Sequence, residues 1–248
     1  CSRREAGRGL VTGSMQLAWN ASLQVRNNER VFVGIGQPML AAMIAQLTHA
    51  PDVHLMFESG VDEAHPKRAG LSTGSAEVAT GAARLGSMLD VFAQLQRGDV
   101  DLGLLGAAQV DCSGRLNSTV LGDYAQPRIR LPGSGGAHDI VALARRVVVV
   151  TVHDPRRLVE RVDFITCDRG GSHSTGDGDA RGGVVAVVTE RGMFAREHGQ
   201  LVLVAVAHGT TEDDALEGIS WARGSQPLEE IPPIPNDYLT RFDFLEEA

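Results

Sequence analysis

Hydrophobic residues in this chain fall into two patterns: short unbroken runs that end in glycine, and stretches with apolar positions three or four apart. The first run, Val31-Phe32-Val33-Gly34-Ile35-Gly36, predicts a strand closing in a glycine turn. Pro38 stands where a helix would start, since a first-turn residue needs no N–H. Met39, Met43, Ile44 and Leu47 follow at helical spacing, Pro51 ends the element, and Val53–Phe57 gives a second strand. Strand, crossover helix, strand is the unit of a parallel sheet.

Residues 60–80 read as loop, and Ala82–Gln96 as a helix carrying Leu85, Met88, Leu89, Phe92 and Leu95. Residues 98–106 read as a turn and a buried strand. Ser113-Gly114 supplies a turn before a strand that begins near Leu116. A short helix is expected over Asp139–Ala144. The almost pure valine run Val147–Val152 predicts a strand buried on both faces, followed by strands at Val184–Thr189 and Leu201–Val206. Pro227–Ala248 reads as an irregular tail with at most one short helix. The pattern is that of an α/β fold with an open, mainly parallel sheet flanked by helices.

The chain has 248 residues, no internal repeat and no convincing linker, so one domain over 15–248 is expected. Residues 1–14 are set aside, because Gly13-Ser14-Met15 resembles a cloning remnant ahead of a native start. A formal net charge of −8 argues against nucleic acid or an anionic membrane as partner, and two Tyr with two Trp make a base-stacking platform improbable. Lys67 is the single lysine, which points to coding bias rather than to a binding feature. No apolar run reaches the length of a membrane span, and a cytoplasmic protein is expected. Cys1, Cys112 and Cys167 are too few and scattered for a disulfide framework, and neither they nor the histidines show metal-ligand spacing.

Two stretches carry candidate chemistry. Val53–Gly60 delivers one carboxylate, Glu58, into a Ser59-Gly60 turn, where it can serve as nucleophile or base. Leu131–Ile140 holds a glycine loop, Gly133-Ser134-Gly135-Gly136-Ala137, whose backbone N–H groups can face a developing oxyanion. Gln109 follows a buried strand and is a candidate for the cleft wall. Asp111 and Asn117 flank a turn and are expected to satisfy local backbone groups; His138 reads as a hydrogen-bonding support and Cys112 as an ordinary thiol. The alternating Asp residues of 168–183 lack the closing Glu of a calcium loop, so a polar surface loop is expected there.

Six blocks in one order then resemble a known family: Phe32–Pro38, Thr48–Pro51, Phe57–Gly60, Gly106–Asp111, Gly114–Thr119 and Leu131–Ile140. Together they are similar to the β subunit of family I coenzyme A transferases, of the glutaconate CoA-transferase type, over roughly residues 31–165. The resemblance implies a CoA-transferase-like fold and a hetero-oligomer with an α subunit of related fold. It also implies acyl-CoA and carboxylate substrates, possibly dicarboxylic, with coenzyme A as substrate and no bound cofactor. By position, Glu58 is the implied nucleophile, passing through an acyl-glutamyl anhydride and a glutamyl-CoA thioester. Gly133, Gly135, Gly136 and Ala137 are implied to line the CoA site and help form the oxyanion hole; Ser59, Gly60 and Gln109 are the candidates for cleft support. Relatives on this scaffold also include acyl-CoA decarboxylases, in which the glutamate is replaced, and hydrolases. A non-catalytic ligand sensor is the reading from another class; it needs an attached helix-turn-helix, which is not visible. The polar run Asp62–Arg68 departs from the family and is expected to alter the acyl pocket.

Overall fold

The computed structural model describes residues 13–168 and 182–239. Its centre is an eight-stranded sheet. In chain order the strands are β1 (Arg30–Val33), β2 (His54–Met56), β3 (Leu102–Leu105), β4 (Arg146–Val150), β5 (Val184–Val188), β6 (Gly192–Glu197), β7 (Gln200–Ala207) and β8 (Glu229–Ile231). They lie in the order β8-β7-β6-β5-β4-β3-β1-β2. Every neighbouring pair is parallel except β5–β6 and β6–β7, so the sheet is mainly parallel as expected.

Alternation within the strands explains the two layers of core. Val31, Val33, Leu102, Leu104, Val148 and Val150 face a helix over residues 13–22 (α1) and helix α2 (Gln37–Leu47). Phe32, Val147, Val149 and Val187 face the opposite layer, helices α3 (Met88–Arg97) and α4 (Ala137–Leu143). A valine strand covered on both sides is what a parallel sheet requires, because its crossover helices occupy both faces.

Differences from the expected elements have physical causes. The helix expected from Ala82 begins at Met88: Gly86 interrupts it, and the Asp90 carboxylate accepts from the Ser87 N–H (2.7 Å) and hydroxyl (2.8 Å) to cap the new start. Arg84–Leu85 instead forms a two-residue strand against Val61–Asp62. As a result Leu85, Met88 and Leu89 are 70%, 54% and 78% exposed, although they share the spacing of buried Leu95. Strand β6 was not anticipated; it joins β7 through His198 and Gly199, both at positive φ, as two-residue hairpins require. Strand β8 lies in the stretch expected to be irregular, hidden by its acidic Glu229-Glu230, and α5 (Glu212–Leu216) and α6 (Asn236–Leu239) are short. Helix α1 includes residues 13 and 14, and Ser14 Oγ accepts from Gln37 Nε2 at 2.5 Å. The rest of 1–14, most of the polar stretch 168–183 and the end of the acidic tail lie outside the described residues.

Beyond the C-terminal ends of the strands a three-stranded sheet, Gln109–Asp111 with Leu116–Asn117 and Leu158–Val159, carries the loops of the cleft. Its keystone is Asn117, fully buried. Nδ2 donates to Gln109 Oε1 (2.8 Å) and to the Val120 carbonyl (2.6 Å), while Oδ1 accepts from the N–H groups of Thr119 (3.0 Å) and Val120 (3.2 Å). Replacing it by Ala strands several buried polar groups. Asn117→Ala is expected to lose about 1–3 kcal/mol or more in denaturant unfolding, a cost that a surface Asn→Ala change does not carry.

Candidate functional site

Strand β2 ends in a β-turn whose two central residues are Glu58 and Ser59, closed by Gly60 N–H donating to the Phe57 carbonyl at 3.0 Å. The chain then doubles back, with Phe57 N–H donating to Val61 O at 2.9 Å. Gly60 has φ of 100°, and a Cβ there would lie 2.4 Å from the Gly86 carbonyl oxygen, so both the conformation and the approach demand glycine. Ser59 is exposed; its hydroxyl donates to the Thr73 carbonyl (2.6 Å) and ties the 71–75 loop beside Glu58. Glu58 itself is half-buried, and no described residue donates to its carboxylate or pairs with it.

The glycine loop hangs from the Asn117 turn. Leu131 N–H donates to Thr119 O (3.0 Å), Gly133 N–H to Ser118 O (2.9 Å), and the Ser118 hydroxyl to Gly133 O (2.8 Å). Ala137 N–H is taken by Ser134 O at 2.9 Å. Among the described residues, the N–H groups of Gly135 and Gly136 have no acceptor. Of the four loop residues expected to supply donors, these two are therefore available, and Gly133 and Ala137 shape the loop. Gly136 is buried, and a Cβ there would lie 2.7 Å from Cζ of Phe92 and 3.5 Å from the carboxyl carbon of Glu58. The two stretches singled out in the sequence thus meet.

They share a cleft of about 550 Å³ at the C-terminal edge of the parallel strands, where open α/β sheets bind ligands. Its walls come from the end of β1 (Val33–Ile35), the segment after β3 (Leu105–Ala108), Ser72-Thr73, the 131–137 loop and Ile140. Glu58 and Arg157 are the two charged residues among them.

Gln109 does not take the expected place in the wall. It is buried behind it, with Oε1 accepting from Asn117 and from the Asp163 N–H (3.0 Å). The polar run 62–68 also stands apart from the cleft: Asp62 is buried against Arg84 (2.8 Å) and Gln94 (3.1 Å). Asp111 accepts from the N–H groups of Ser113 (3.0 Å) and Arg115 (3.1 Å), the local role expected of it. His138 is exposed. Burial pushes the Cys167 thiol up to about 11, which removes it as a nucleophile at neutral pH. The residues that the sequence reading missed are Phe92, Ser72, Thr73 and Arg157; only tertiary contact brings them here, and no spacing marks them.

A family profile described as coenzyme A transferase matches residues 15–197. The chain is 38% identical over 208 residues to the β subunit of the 3-oxoadipate CoA-transferase of Pseudomonas knackmussii, covering 82% of this chain and 80% of that one. It is 29% identical over 214 residues to the β subunit of the glutaconate CoA-transferase of Acidaminococcus fermentans, covering 80% and 78%. The crystal structure of glutaconate coenzyme A-transferase from the same organism matches at a TM-score of 0.80 and 24% identity, over 92% of this chain and 91% of that chain, which establishes the shared fold.

The packing of Gly136 on Phe92 is open to a direct check. Gly136→Ala is expected to cost about 1–3 kcal/mol by overpacking. Phe92→Leu, which withdraws the ring tip, should recover part of that loss in a double-mutant cycle. Strictly additive effects would mean that the two residues do not touch.

Proposed function

The chain belongs to the coenzyme A transferase family, and on that premise we propose that Glu58 is the nucleophile that carries coenzyme A between two carboxylic acids. The observation that supports this most is a half-buried, unpaired carboxylate held against a loop with two free N–H donors. A carboxylate in water is a weak nucleophile. In a mostly apolar cleft, with its target positioned, it becomes an effective one.

The steps balance without an added proton. Glu58 attacks the acyl-CoA carbonyl, and the oxyanion that forms is held by the Gly135 and Gly136 N–H groups. Its collapse breaks the C–S bond, releasing CoA thiolate and leaving an acyl-glutamyl anhydride. The thiolate then attacks the glutamyl carbonyl, expelling the acyl group as a free carboxylate and leaving a glutamyl-CoA thioester. An acceptor carboxylate attacks that thioester, breaking its C–S bond to release CoA thiolate and leave a second anhydride. Thiolate attack on the acceptor carbonyl yields the new acyl-CoA and restores Glu58. Coenzyme A is a substrate throughout, and no resident cofactor is required. Such a reaction belongs in the cytoplasm, where CoA thioesters are handled.

Two further features belong to the same reading. The two relatives are named for 3-oxoadipate and glutaconate, both dicarboxylic acids, and we take a dicarboxylic acid as one substrate. Each is also named as a subunit, and this chain exposes Leu71, Leu85, Met88 and Leu89, three of which adjoin residues of the site in sequence. Leu71 precedes the wall residue Ser72, and Met88 and Leu89 lie one helical turn before Phe92. An apolar surface of this kind suits an α subunit that closes the site.

The test is kinetic and uses the chain co-expressed with its α subunit. Glu58→Gln keeps the shape and removes the charge, and should lower transfer from an acyl-CoA to a carboxylate by at least about a thousandfold; Glu58→Asp, shorter by a methylene, should lose about a hundredfold or more. The chain purified alone should be inactive. Substantial turnover by Glu58→Gln would remove Glu58 from the role.

A further inference from the structure

Among the cleft residues, Glu58 and Arg157 alone carry charge; the remainder of the wall is apolar, glycine or hydroxyl-bearing. Most arginines near acids in this chain are paired: Arg30 and Arg84 with Asp62 and Glu63, Arg146 with Glu29, Arg191 with Glu217. Arg157 is exposed and makes no direct ion pair with a described carboxylate, although its charge adds to the pull that keeps the Asp154 carboxyl low. The nearby Asp154 is engaged by its neighbour Arg156, with Nη2 to Oδ2 at 2.6 Å and Nε to Oδ1 at 3.0 Å.

The Arg157 backbone is fixed on both sides: its N–H donates to Asp154 O (2.8 Å), and its carbonyl accepts from Val110 N–H (2.8 Å). Nη1 reaches the Ala107 carbonyl at 3.4 Å, which leaves the other guanidinium donors unassigned. Ala107 lies two residues past β3, as Glu58 lies two residues past β2, and β1 separates these strands. At the usual strand spacing the two positions stand roughly 10 Å apart across the cleft.

We propose that Arg157 is a specificity-determining residue that holds the second carboxylate of a dicarboxylic substrate while the first reacts at Glu58. This rests on the transferase reading and deepens it. A guanidinium presents a planar fork that matches a carboxylate, and one at the edge of a mostly apolar cleft, with donors left over, can take up an anionic ligand. The backbone span from Ala107, which Arg157 reaches, to Glu58 suits a short dicarboxylic chain, and Ile35 and Leu105 line the same cleft. The phosphates of CoA, at the far end of the pantetheine arm, belong outside a cleft of this size.

Transfer from acetyl-CoA to adipate and to hexanoate, acids of equal chain length, by the co-expressed complex tests the assignment. The wild-type complex should favour adipate. Arg157→Met should lower the ratio of kcat/KM for adipate over hexanoate by about 10- to 100-fold, mostly through KM, and Arg157→Lys should recover part of it. An unchanged ratio, or equal losses on both acids, would overturn the proposal. A second measurement does not depend on turnover: adipate should slow phenylglyoxal modification of Arg157 in the complex, read by peptide mass, and hexanoate should not. Protection by desulfo-CoA with none by adipate would assign Arg157 to the CoA phosphates and sink the carboxylate role. A complex with no transferase activity, in which adipate still protects Arg157, would instead remove the transferase reading while keeping the carboxylate site.

Discussion

The clamp of Gly60 against Gly86 sets the position of Glu58 and of the helix that packs beside it. Gly86 N–H donates to Gly60 O at 2.9 Å, and the space between the two backbones admits no side chain on Gly60. This contact anchors the Phe57–Gly60 turn, so that Glu58 is presented from the end of a buried strand rather than from a loop with its own freedom. It also stops the helix that the apolar spacing would start at Ala82, because Gly86 is committed to the turn and Ser87 must cap a new helix from Met88. One backbone-to-backbone approach therefore fixes the carboxylate and the start of α3, whose Phe92 packs on the opposing glycine loop.

The second support is the Asn117 turn. Its buried carboxamide holds the backbone of Thr119 and Val120, and Ser118 and Thr119 in turn hold Leu131 and Gly133. The loop beside Glu58 thus hangs on a polar network behind the cleft wall, which holds a short glycine-rich segment in place while two of its N–H groups take no acceptor among the described residues. A site of this kind depends on its supporting layer for precision.

Much of this was legible in the sequence, and the reasons differ by element. Strands β1 to β5 and β7 were visible because buried strands read as apolar runs, and the place of Glu58 at a strand end was visible because a single carboxylate followed such a run. Helix α3 was misplaced at its start because its exposed Leu85, Met88 and Leu89 share the spacing of its core positions; they belong to a surface that this chain alone does not cover. Gln109 was placed in the wall because it follows a buried strand, but a buried carboxamide goes where its hydrogen bonds are met, and those lie behind the wall. Arg157 was invisible because nothing in Asp154-Pro155-Arg156-Arg157 tells which arginine takes the aspartate and which is left facing the cleft.

The central claim is that Glu58 bonds covalently to coenzyme A. Incubating the co-expressed complex with an acyl-CoA and no acceptor, then treating with borohydride, tests it directly by peptide mass. If Glu58 is the nucleophile, CoA mass is expected on the peptide that contains Val53–Gly60 before reduction, an alcohol at Glu58 after it, and neither in Glu58→Gln. A complex that transfers CoA at full rate yet never carries it on that peptide would contradict the account.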